Sequence, residues 1–343
     1  MEKTTAFQLD LMLPSRKSED YLYTDVAVLA AGIDAVASTV CADADSEVDF
    51  VLPSAETDRP ALFVASQAKK AAYYSLDGQS ADIKYITIED GADNQLTAQT
   101  IIVEVKANAQ RNVVIKFAAQ KGLSAVDIYI KMAAESAANV VLWQDRATKA
   151  RIFTHTIVDM QKSAKLNIST INIRAAHVRN NLRINYLGEN AESQISGLYI
   201  AADDNRIDNS TIVRHAVGHC TCEQLYKGVL NDHATTAFSG LIVVDPDAQK
   251  TLANQVNRSM LLSKDARAYA KPQLEIYADD VRCNHGSTTG QIDKDQLFYM
   301  QARGISEEEA RQMLVAAFVC EIAERLPIEE LEEKLVDSIK NSL

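Results

Sequence analysis

The chain has 343 residues, of which 47% are hydrophobic, and its formal net charge at pH 7 is −12. This length and composition suffice for one large or two modest globular domains, and they argue against a disordered chain. The negative charge disfavours nucleic acid or an anionic membrane surface as the main partner, because either would bind a basic face.

The cysteines and the apolar runs indicate the compartment. Five cysteines at irregular spacing argue against the disulfide framework of a secreted protein. No run reaches the roughly 18 consecutive apolar residues of a membrane span, and the beginning MEKTTAFQLD lacks the pattern of a signal peptide. We therefore expect a cytoplasmic protein without a membrane partner.

Residues 1–50 predict a short, partly helical N-terminal segment. A helix is expected over residues 21–31, within and after the polar stretch PSRKSEDYLYT that begins at Pro14. No chemistry requires this stretch, and a solvated turn with inward-facing aromatic side chains accounts for it.

Residues 51–292 predict a mainly β core. Short alternating apolar patterns recur, for example at Val126, Ile128 and Ile130. Turn-forming clusters separate the later patterns at intervals of about 14 residues, which is typical of a repeat architecture. Helical crossovers between the strands are missing, so a parallel β-helix of stacked coils is the preferred interpretation. From periodicity alone, an antiparallel sandwich is the alternative.

Residues 271–304, KPQLEIYADDVRCNHGSTTGQIDKDQLFYMQARG, predict the last coil and the exit from it. The acidic pair at 279–280 shifts the apolar parity and predicts a corner between two strands. Cys283 and His285 then share one face of the second strand, because side chains two residues apart point the same way. Thiolate and imidazole are good ligands for iron, zinc or copper, but a structural zinc site needs four ligands. A site here would need a partner chain or a substrate ion, and ordinary packing is the alternative.

Residues 293–343 predict a C-terminal helical subdomain. Ser306 opens a helix with a capping box. Its segment MLVAAFVC at 313–320 is apolar on every face, which is typical of burial on more than one side. The solenoid and the following helix could cover this segment, or it could leave one face for a partner. Pro327 opens a second helix with Leu331 on its apolar stripe. Ten acidic and four basic side chains lie between 306 and the end of the sequence. This charge favours either a solvated face or a basic partner.

Two other clusters carry reactive residue types. Cys220 and Cys222 are predicted to share a strand face that His219 does not, so core packing is preferred over a role with sulfur or iron. Acidic pairs at 203–204 and 279–280 raise the alternative of a carbohydrate-acting β-helix enzyme, but adjacent residues on a strand point to opposite faces. The phosphate loop G-x-x-x-x-G-K-[ST] is absent from the sequence, so nucleotide hydrolysis would need a partner.

The chain resembles the SufB/SufD family of the SUF system, which assembles iron–sulfur clusters. The resemblance is carried by KPQLEIYADDVRCNHGSTTGQID…LFYMQARGIS from Lys271, by LYKGVLNDHATTAFSGLIVVDPDAQKTLANQVNRSMLLS at 225–263, and faintly by PSRKSEDYLYTDV at 14–26. The SufB branch typically carries Glu-His-Glu where this chain has Cys-Asn-His-Gly at 283–286. The SufD branch is therefore the better match.

This resemblance implies a right-handed parallel β-helix and a non-enzymatic subunit of a complex with a SufB-like scaffold and a SufC-like ATPase. It implies that His285 is a ligand for iron or a nascent iron–sulfur cluster at the interface with the SufB-like partner, with Cys283 beside it. It also implies that the ATPase docks on the C-terminal helices, where we predict contacts by Met313, Phe318 and Leu331.

Several alternatives stay open beside this interpretation. The chain could act as a purely structural scaffold that binds no metal, and a homodimer through its own end coil is an alternative assembly for the isolated protein. No cofactor is expected to be tightly bound in isolation, since the cluster or iron would be transient. Typical family members have a longer helical N-terminal region, so this chain is expected to be abbreviated there.

Overall fold

A computed structural model describes residues 35–38, 41, 43–49, 70–89, 95–118, 121–145 and 148–340. The helix predicted over 21–31 lies outside these residues. The described part consists of strands followed by three helices: β1 (Ala35–Ser38), β2 (Ser46–Asp49), β3 (Lys70–Leu76), β4 (Gln79–Ile88), β5 (Gln95–Val105), β6 (Gln110–Phe117), β7 (Leu123–Met132), β8 (Ala137–Gln144), β9 (Thr148–Met160), β10 (Lys165–Ile173), β11 (Ala175–Tyr186), β12 (Glu192–Ala201), β13 (Arg206–His215), β14 (Thr221–Leu230), β15 (Thr235–Val244), β16 (Leu252–Leu261), β17 (Arg267–Ile276), β18 (Arg282–Gln291), α1 (Lys294–Gln301), α2 (Glu307–Ala323) and α3 (Glu329–Lys340).

The strands alternate between two sheets, which confirms the predicted parallel β-helix. Sheet A has the order β17-β15-β13-β11-β9-β7-β5-β3-β2, with β1 beside β5, and sheet B has the order β18-β16-β14-β12-β10-β8-β6-β4. Neighbouring strands are parallel, except that β2 pairs antiparallel with β3. Each coil contributes one strand to each sheet, and the solenoid makes about seven turns. This pairing excludes the antiparallel sandwich, while the right-handedness implied by the family resemblance stays a prediction.

The turns recur once per coil at equivalent positions, which explains the interval seen in the sequence. Arg174, Asp203 and Asp232 lie 29 residues apart and all have a left-handed backbone, with φ of 50°, 54° and 50°. Asp and Asn adopt this conformation more readily than most residues. A second stack of left-handed turns lies at the other corner, at Ser163, Asn190, His219 and Lys250. Each coil has two corners, so the predicted interval of about 14 residues corresponds to half a coil.

Inward side chains of both sheets stack in rows that run along the inside of the solenoid. One of them, here called the His285 row, joins directly paired residues from β6 to β18: Val113, Val140, Ile168, Ile195, Gln224, Gln255 and His285. All of them except His285 are buried. The row is apolar in its first four coils and polar in its last three.

Helices α2 and α3 pack against the outer face of sheet B. Val315, Val319 and Ile322 of α2 share an apolar cluster with Leu225 and Val229 of β14. The predicted capping box at Ser306 is present, and the predicted stripe of α3 is buried at Leu331, Leu335 and Ile339.

Of the two arrangements expected for the apolar segment of α2, the structure shows the one that leaves a face of the helix exposed. Val315 and Val319 are buried, but Met313 is 53% exposed and Cys320 is also exposed. The covered face of α2 packs on sheet B and on α3, and the opposite face of the helix is exposed. No helix in the described part of the chain is long and apolar enough to cross a membrane.

Candidate functional site at the end coil

Strands β17 and β18 form the end coil of the solenoid. Each is the last strand of its sheet, so its outer edge has no strand partner among the described residues. An unpaired edge exposes backbone N–H and C=O groups that another chain can pair with. The predicted corner lies between these strands and is fastened to the coil below: Lys250 pairs with the Asp280 side chain, and the Asp280 N–H donates to Gln249 Oε1 over 2.9 Å.

Cys283 and His285 share the inward face of β18 but differ in accessibility. Cys283 is half-buried and packs against the main apolar core, whereas His285 is exposed. Burial raises the pKa of the Cys283 thiol. At neutral pH this thiol therefore stays protonated unless a metal ion displaces the proton. His285 is the more accessible of the two side chains.

The end coil alone does not complete a metal centre. Among the residues that the structure describes, no three His, Cys, Asp or Glu side chains are grouped closely enough to hold a metal ion. Cys283 and His285 would therefore supply only part of a ligand set, on an open surface. Completion of a metal site by ligands from a partner chain stays a prediction.

Polar side chains line the interior behind His285, and sequence reasoning did not single them out. Gln255, Asn257 and Ser259 of β16 point inward and are buried. Tyr199 donates to Asn257 Oδ1 over 3.0 Å. The sequence signal that could have revealed this polar interior is the presence of polar residues where the strand alternation places inward side chains.

The second cysteine pair lies inside the core. Cys222 is on β14, and Cys220 is in the turn before it; both are buried, while His219 is exposed in that turn. Burial raises the pKa of Cys222 to about 12 and also raises that of Cys220. Thiols held in the protonated form are poor nucleophiles and poor metal ligands. The placement fits the packing interpretation.

His215 lies in the interior near these thiols. Its ring stacks on Tyr186 with centroids 4.3 Å apart, and Tyr186 donates to the Thr221 carbonyl over 3.0 Å. Neither ring nitrogen of His215 has a hydrogen-bond partner among the described residues. Burial lowers its pKa to about 4, so the ring is neutral at physiological pH.

The acidic pairs serve the turns. Asp203 is paired with Arg174 over 2.9 Å, and its N–H donates to Asp232 Oδ2 over 3.0 Å. Asp280 is held by Lys250, as described above. Neither pair presents two carboxylates across a cleft, as glycoside cleavage requires.

The three residues predicted to contact an ATPase differ in exposure. Met313 is exposed, and Phe318 is half-buried under Lys227, whose Nζ lies 4.9 Å from the ring centroid. Leu331 is only 2% exposed and packs within the chain. A partner would therefore contact exposed residues near Leu331, and Leu331 itself would hold α3 in place.

Helix α1 adds an exposed aromatic pair that the sequence reasoning missed. Phe298 is 71% exposed and Tyr299 is 58% exposed, and α1 has no buried residues. The segment KDQLFYMQ has no apolar stripe, so its periodicity did not reveal a third helix. Asp293 caps it by accepting from the N–H groups of Asp295 and Gln296.

A buried lysine fastens α2 to the solenoid. Lys227 on β14 is 4% exposed; its Nζ donates to the Phe318 carbonyl over 2.6 Å and pairs with Glu321 over 2.7 Å. Arg258 of β16 also approaches Glu321, at 3.4 Å. These contacts fix the position of α2 on sheet B, and thereby also the position of its exposed side.

Comparisons with known proteins agree with this architecture. Residues 85–318 match the family model described as SUF system FeS cluster assembly, SufBD core domain. The chain is 36% identical over 191 residues to the iron–sulfur cluster assembly protein SufD of Escherichia coli (strain K12), covering 56% of this chain and 45% of that protein. It is 33% identical over 180 residues to an iron–sulfur cluster assembly SufBD family protein of Synechocystis, covering 52% and 40%.

A plant relative matches over a longer stretch. The chain is 26% identical over 262 residues to the chloroplastic protein ABCI7 of Arabidopsis thaliana, covering 76% of this chain and 52% of that protein. The chain thus spans about half the length of the curated relatives it matches. The family model covers well over half of the chain, from β4 to α2. The chain therefore belongs to the SufB/SufD family of the SUF system, as its sequence resemblance indicated.

Proposed function

We propose that this protein is a SufD-like, non-enzymatic subunit that assembles iron–sulfur clusters together with a SufB-like scaffold and a SufC-like ATPase. The single observation that supports this proposal best is that His285 and Cys283 share one face of the open end coil of a SufB/SufD-family β-solenoid. In this proposal 1–50 is an N-terminal segment, 51–292 the β-helix core and 293–343 the helical subdomain.

The end coil would form the interface with the SufB-like partner. Its two edge strands offer backbone groups for pairing, and His285 is exposed on the inward face of β18. The imidazole would bind iron or a nascent cluster as a substrate, and the partner would complete the ligand set. A single exposed nitrogen ligand would hold this cargo weakly enough for its release.

Cys283 would have an auxiliary role in this interface. Its thiol is half-buried and its pKa is raised by burial, so metal binding would have to displace its proton. It would therefore contribute more at high pH or after the partner has brought the metal close.

The C-terminal helices would dock the ATPase. Exposed apolar side chains lie on α1 and α2 at Phe298, Tyr299 and Met313, beside a chain end rich in carboxylates. Large apolar and aromatic side chains are typical anchors of interfaces, and the acidic rim suits a basic partner. Lys227 would link α2 to the solenoid, so that movement of the helices reaches the end coil.

The test is anaerobic co-purification of this chain with the SufB-like and SufC-like proteins of its source, followed by addition of iron and sulfide. We expect a three-component complex that gains the visible absorption of an iron–sulfur cluster. His285→Ala is expected to keep the complex and lose most of the absorption. Ser287→Ala is the matched control, since Ser287 is exposed on the same face of β18 two residues away.

The alternative of a purely structural scaffold gives a different result in the same assay. A scaffold that binds no metal would assemble normally and form clusters equally well with His285→Ala and Ser287→Ala. Absence of any complex would contradict both versions.

A further inference from the structure

The two ends of the solenoid differ, and the first end is closed. Both ends of a stack of coils expose strand edges with which another strand can pair. At the first end, residue 41 and residues 43–45 lie across the coil formed by β3 and β4. We call these residues the end turn. At the other end, Cys283 is only half-buried and His285 is exposed.

The end turn is held to sheet A by its two carboxylates and by its backbone. Tyr74 of β3 donates its hydroxyl to Asp43 Oδ1 over 2.9 Å. Ser75 of β3 donates its N–H to Asp45 Oδ2 over 2.8 Å. The N–H of Asp45 donates to the Tyr73 carbonyl over 3.1 Å. Contacts with three consecutive residues of β3 therefore fix the orientation of the turn.

The end turn also reaches sheet B and the interior. Lys84 of β4 donates from its Nζ to the Asp43 carbonyl over 3.1 Å, and it pairs with the Asp45 carboxylate at 3.9 Å. Cys41 is only 8% exposed and belongs to the main apolar core, and its Sγ lies 3.8 Å from Gln99 Oε1. The end turn therefore spans the first coil from one sheet to the other and inserts a side chain between them.

The strands of the first coil are also protected against pairing. The outermost strand of sheet A, β2, has four residues and runs antiparallel to β3, against the direction of the coils. It carries Glu47 and Asp49, and Glu47 pairs with Lys70 over 3.1 Å. On sheet B, the pairing of β4 with β6 shifts register between Gln79 and Ile83. Short strands, charged side chains and bulges are the features by which natural proteins protect sheet edges.

The end coil has a regular edge instead. Strand β18 pairs with β16 in unbroken register over its 10 residues. Arg282 donates its N–H to the Thr251 carbonyl over 2.9 Å, toward β16. Since successive N–H groups of a strand point to opposite sides, those of Cys283, His285 and Ser287 face the open edge. This end of the solenoid is therefore suited to accept another strand.

We propose that the end turn is a cap that confines strand addition to the end coil, so that one chain joins only one other solenoid. Two open ends on one chain would pair head to tail, and a head-to-tail contact that does not close produces filaments. Closure of the first end prevents this growth and leaves the end coil free for a partner. The inference does not depend on the ligand role of His285, because it concerns the opposite end of the solenoid.

The experiment measures the mass of the full chain in solution, by sedimentation over a range of protein concentrations. We expect the unmodified protein to contain no more than two chains. Asp43→Ala combined with Asp45→Ala removes the carboxylates that hold the end turn, and the mass should then rise with concentration beyond that of two chains. Asp204→Ala combined with Asp247→Ala is the matched control, since both residues are exposed in turns of later coils and the change in charge is the same. This control should keep the mass of the unmodified protein.

A further variant separates growth from end to end from non-specific aggregation. Ser287→Pro removes an N–H that faces the open edge, and proline is tolerated in edge strands. Added to the cap variant, it should return the mass to that of at most two chains. If the cap variant does not fold, as judged by circular dichroism, Tyr74→Phe removes one hydrogen bond to Asp43 and should give a smaller rise in mass.

Several outcomes would overturn the inference. Growth of the unmodified protein beyond two chains would do so without any variant. An unchanged mass in the folded cap variant, an equal rise in its control, or growth that persists with Ser287→Pro would also contradict it. The cluster assay tests the proposed function separately: the cap variant should retain cluster absorption, and normal assembly by His285→Ala would disprove the ligand role and leave the cap intact.

Discussion

The early and late coils of the solenoid have the same backbone but different interiors. In the His285 row the early coils contribute Val113, Val140, Ile168 and Ile195, and the late coils contribute Gln224, Gln255 and His285. The early part gains stability from apolar burial, at about 1.5–3 kcal/mol for each large aliphatic side chain. The late part keeps buried polar atoms without partners among the described residues, including those of Gln224, Gln255 and His215.

This difference shows how one repeat architecture separates stability from function. Parallel coils satisfy backbone hydrogen bonds in every coil, so the side chains inside are free to vary. In the His285 row the polar residues lie next to the open end, where His285 and Cys283 are placed. We infer that the apolar residues of the early coils stabilise the solenoid. The polar residues of the late coils stabilise it less, and they lie beside the candidate site on the end coil.

The largest expected effect comes from truncating an early member of the row. Ile168→Ala removes a fully buried side chain, and we expect the free energy of unfolding to fall by about 2–5 kcal/mol. Gln224 occupies the same row two coils nearer the open end than Ile168. Gln224→Leu should change the free energy of unfolding by less than about 1.5 kcal/mol. Urea unfolding followed by circular dichroism measures both. Equal losses would contradict the distinction between early and late coils.

The second prediction concerns the buried histidine of the late coils. The pKa of His215 is about 4, below the ordinary 6.5, so the unfolded chain binds more protons between these two values. Stability from this group is therefore fully present above pH 6.5 and is lost as the pH falls toward 4, by about 3 kcal/mol. The measurement is urea unfolding across this pH range.

A variant isolates this contribution from that of other acidic groups. His215→Phe keeps a ring against Tyr186 but does not titrate, so its stability should fall less between pH 6.5 and 4 than that of the unmodified protein. His219→Asn is the control, since His219 is exposed and Asn suits its φ of 60°. Identical pH curves for His215→Phe and the unmodified protein would rule out the effect.

The third prediction tests how closely the late interior is packed. Gly228 faces Tyr199, and a Cβ there would lie 1.9 Å from the ring. Gly228→Ala should therefore destabilise the protein by about 1–3 kcal/mol, because the ring has to move. Gly290→Ala on the end coil meets open space and should be nearly neutral. Thermal unfolding of both variants decides this, and a stable Gly228→Ala would indicate a loosely packed interior.

The smallest effect is expected at the buried thiol. Cys222→Ser replaces a thiol of high pKa that contacts Tyr186 and Ser193, so its new hydroxyl has polar neighbours. We expect a loss of at most about 1 kcal/mol and unchanged cluster formation in the assembled complex. Loss of cluster absorption with normal folding would give this cysteine a role in handling sulfur or iron and would overturn the packing interpretation.

Sequence reasoning worked well where the physical cause is local. The alternation of side chains along a strand has a period of two, so it correctly put Cys283 and His285 on one face, and the acidic pair at 279–280 marked the corner. The capping box at Ser306 needs only residues three apart, and it is present. Repeated turn residues predicted the stacked coils.

Other features depended on contacts between distant parts of the chain. Leu331 was assigned to a partner surface but is buried, because α3 packs on α2 and sheet B. Helix α1 has no apolar stripe, so its exposed Phe298 and Tyr299 were not predicted.

The sequence by itself determined the repeat, the family and the strand face of the candidate ligands. Only the tertiary structure decided that Gln255 and Gln224 stand beneath His285, and that Lys227 fastens α2. The physical reason is the range of each effect. Side-chain parity and capping follow from neighbouring residues, whereas the pairing of residues about 30 positions apart depends on the stacking register of whole coils.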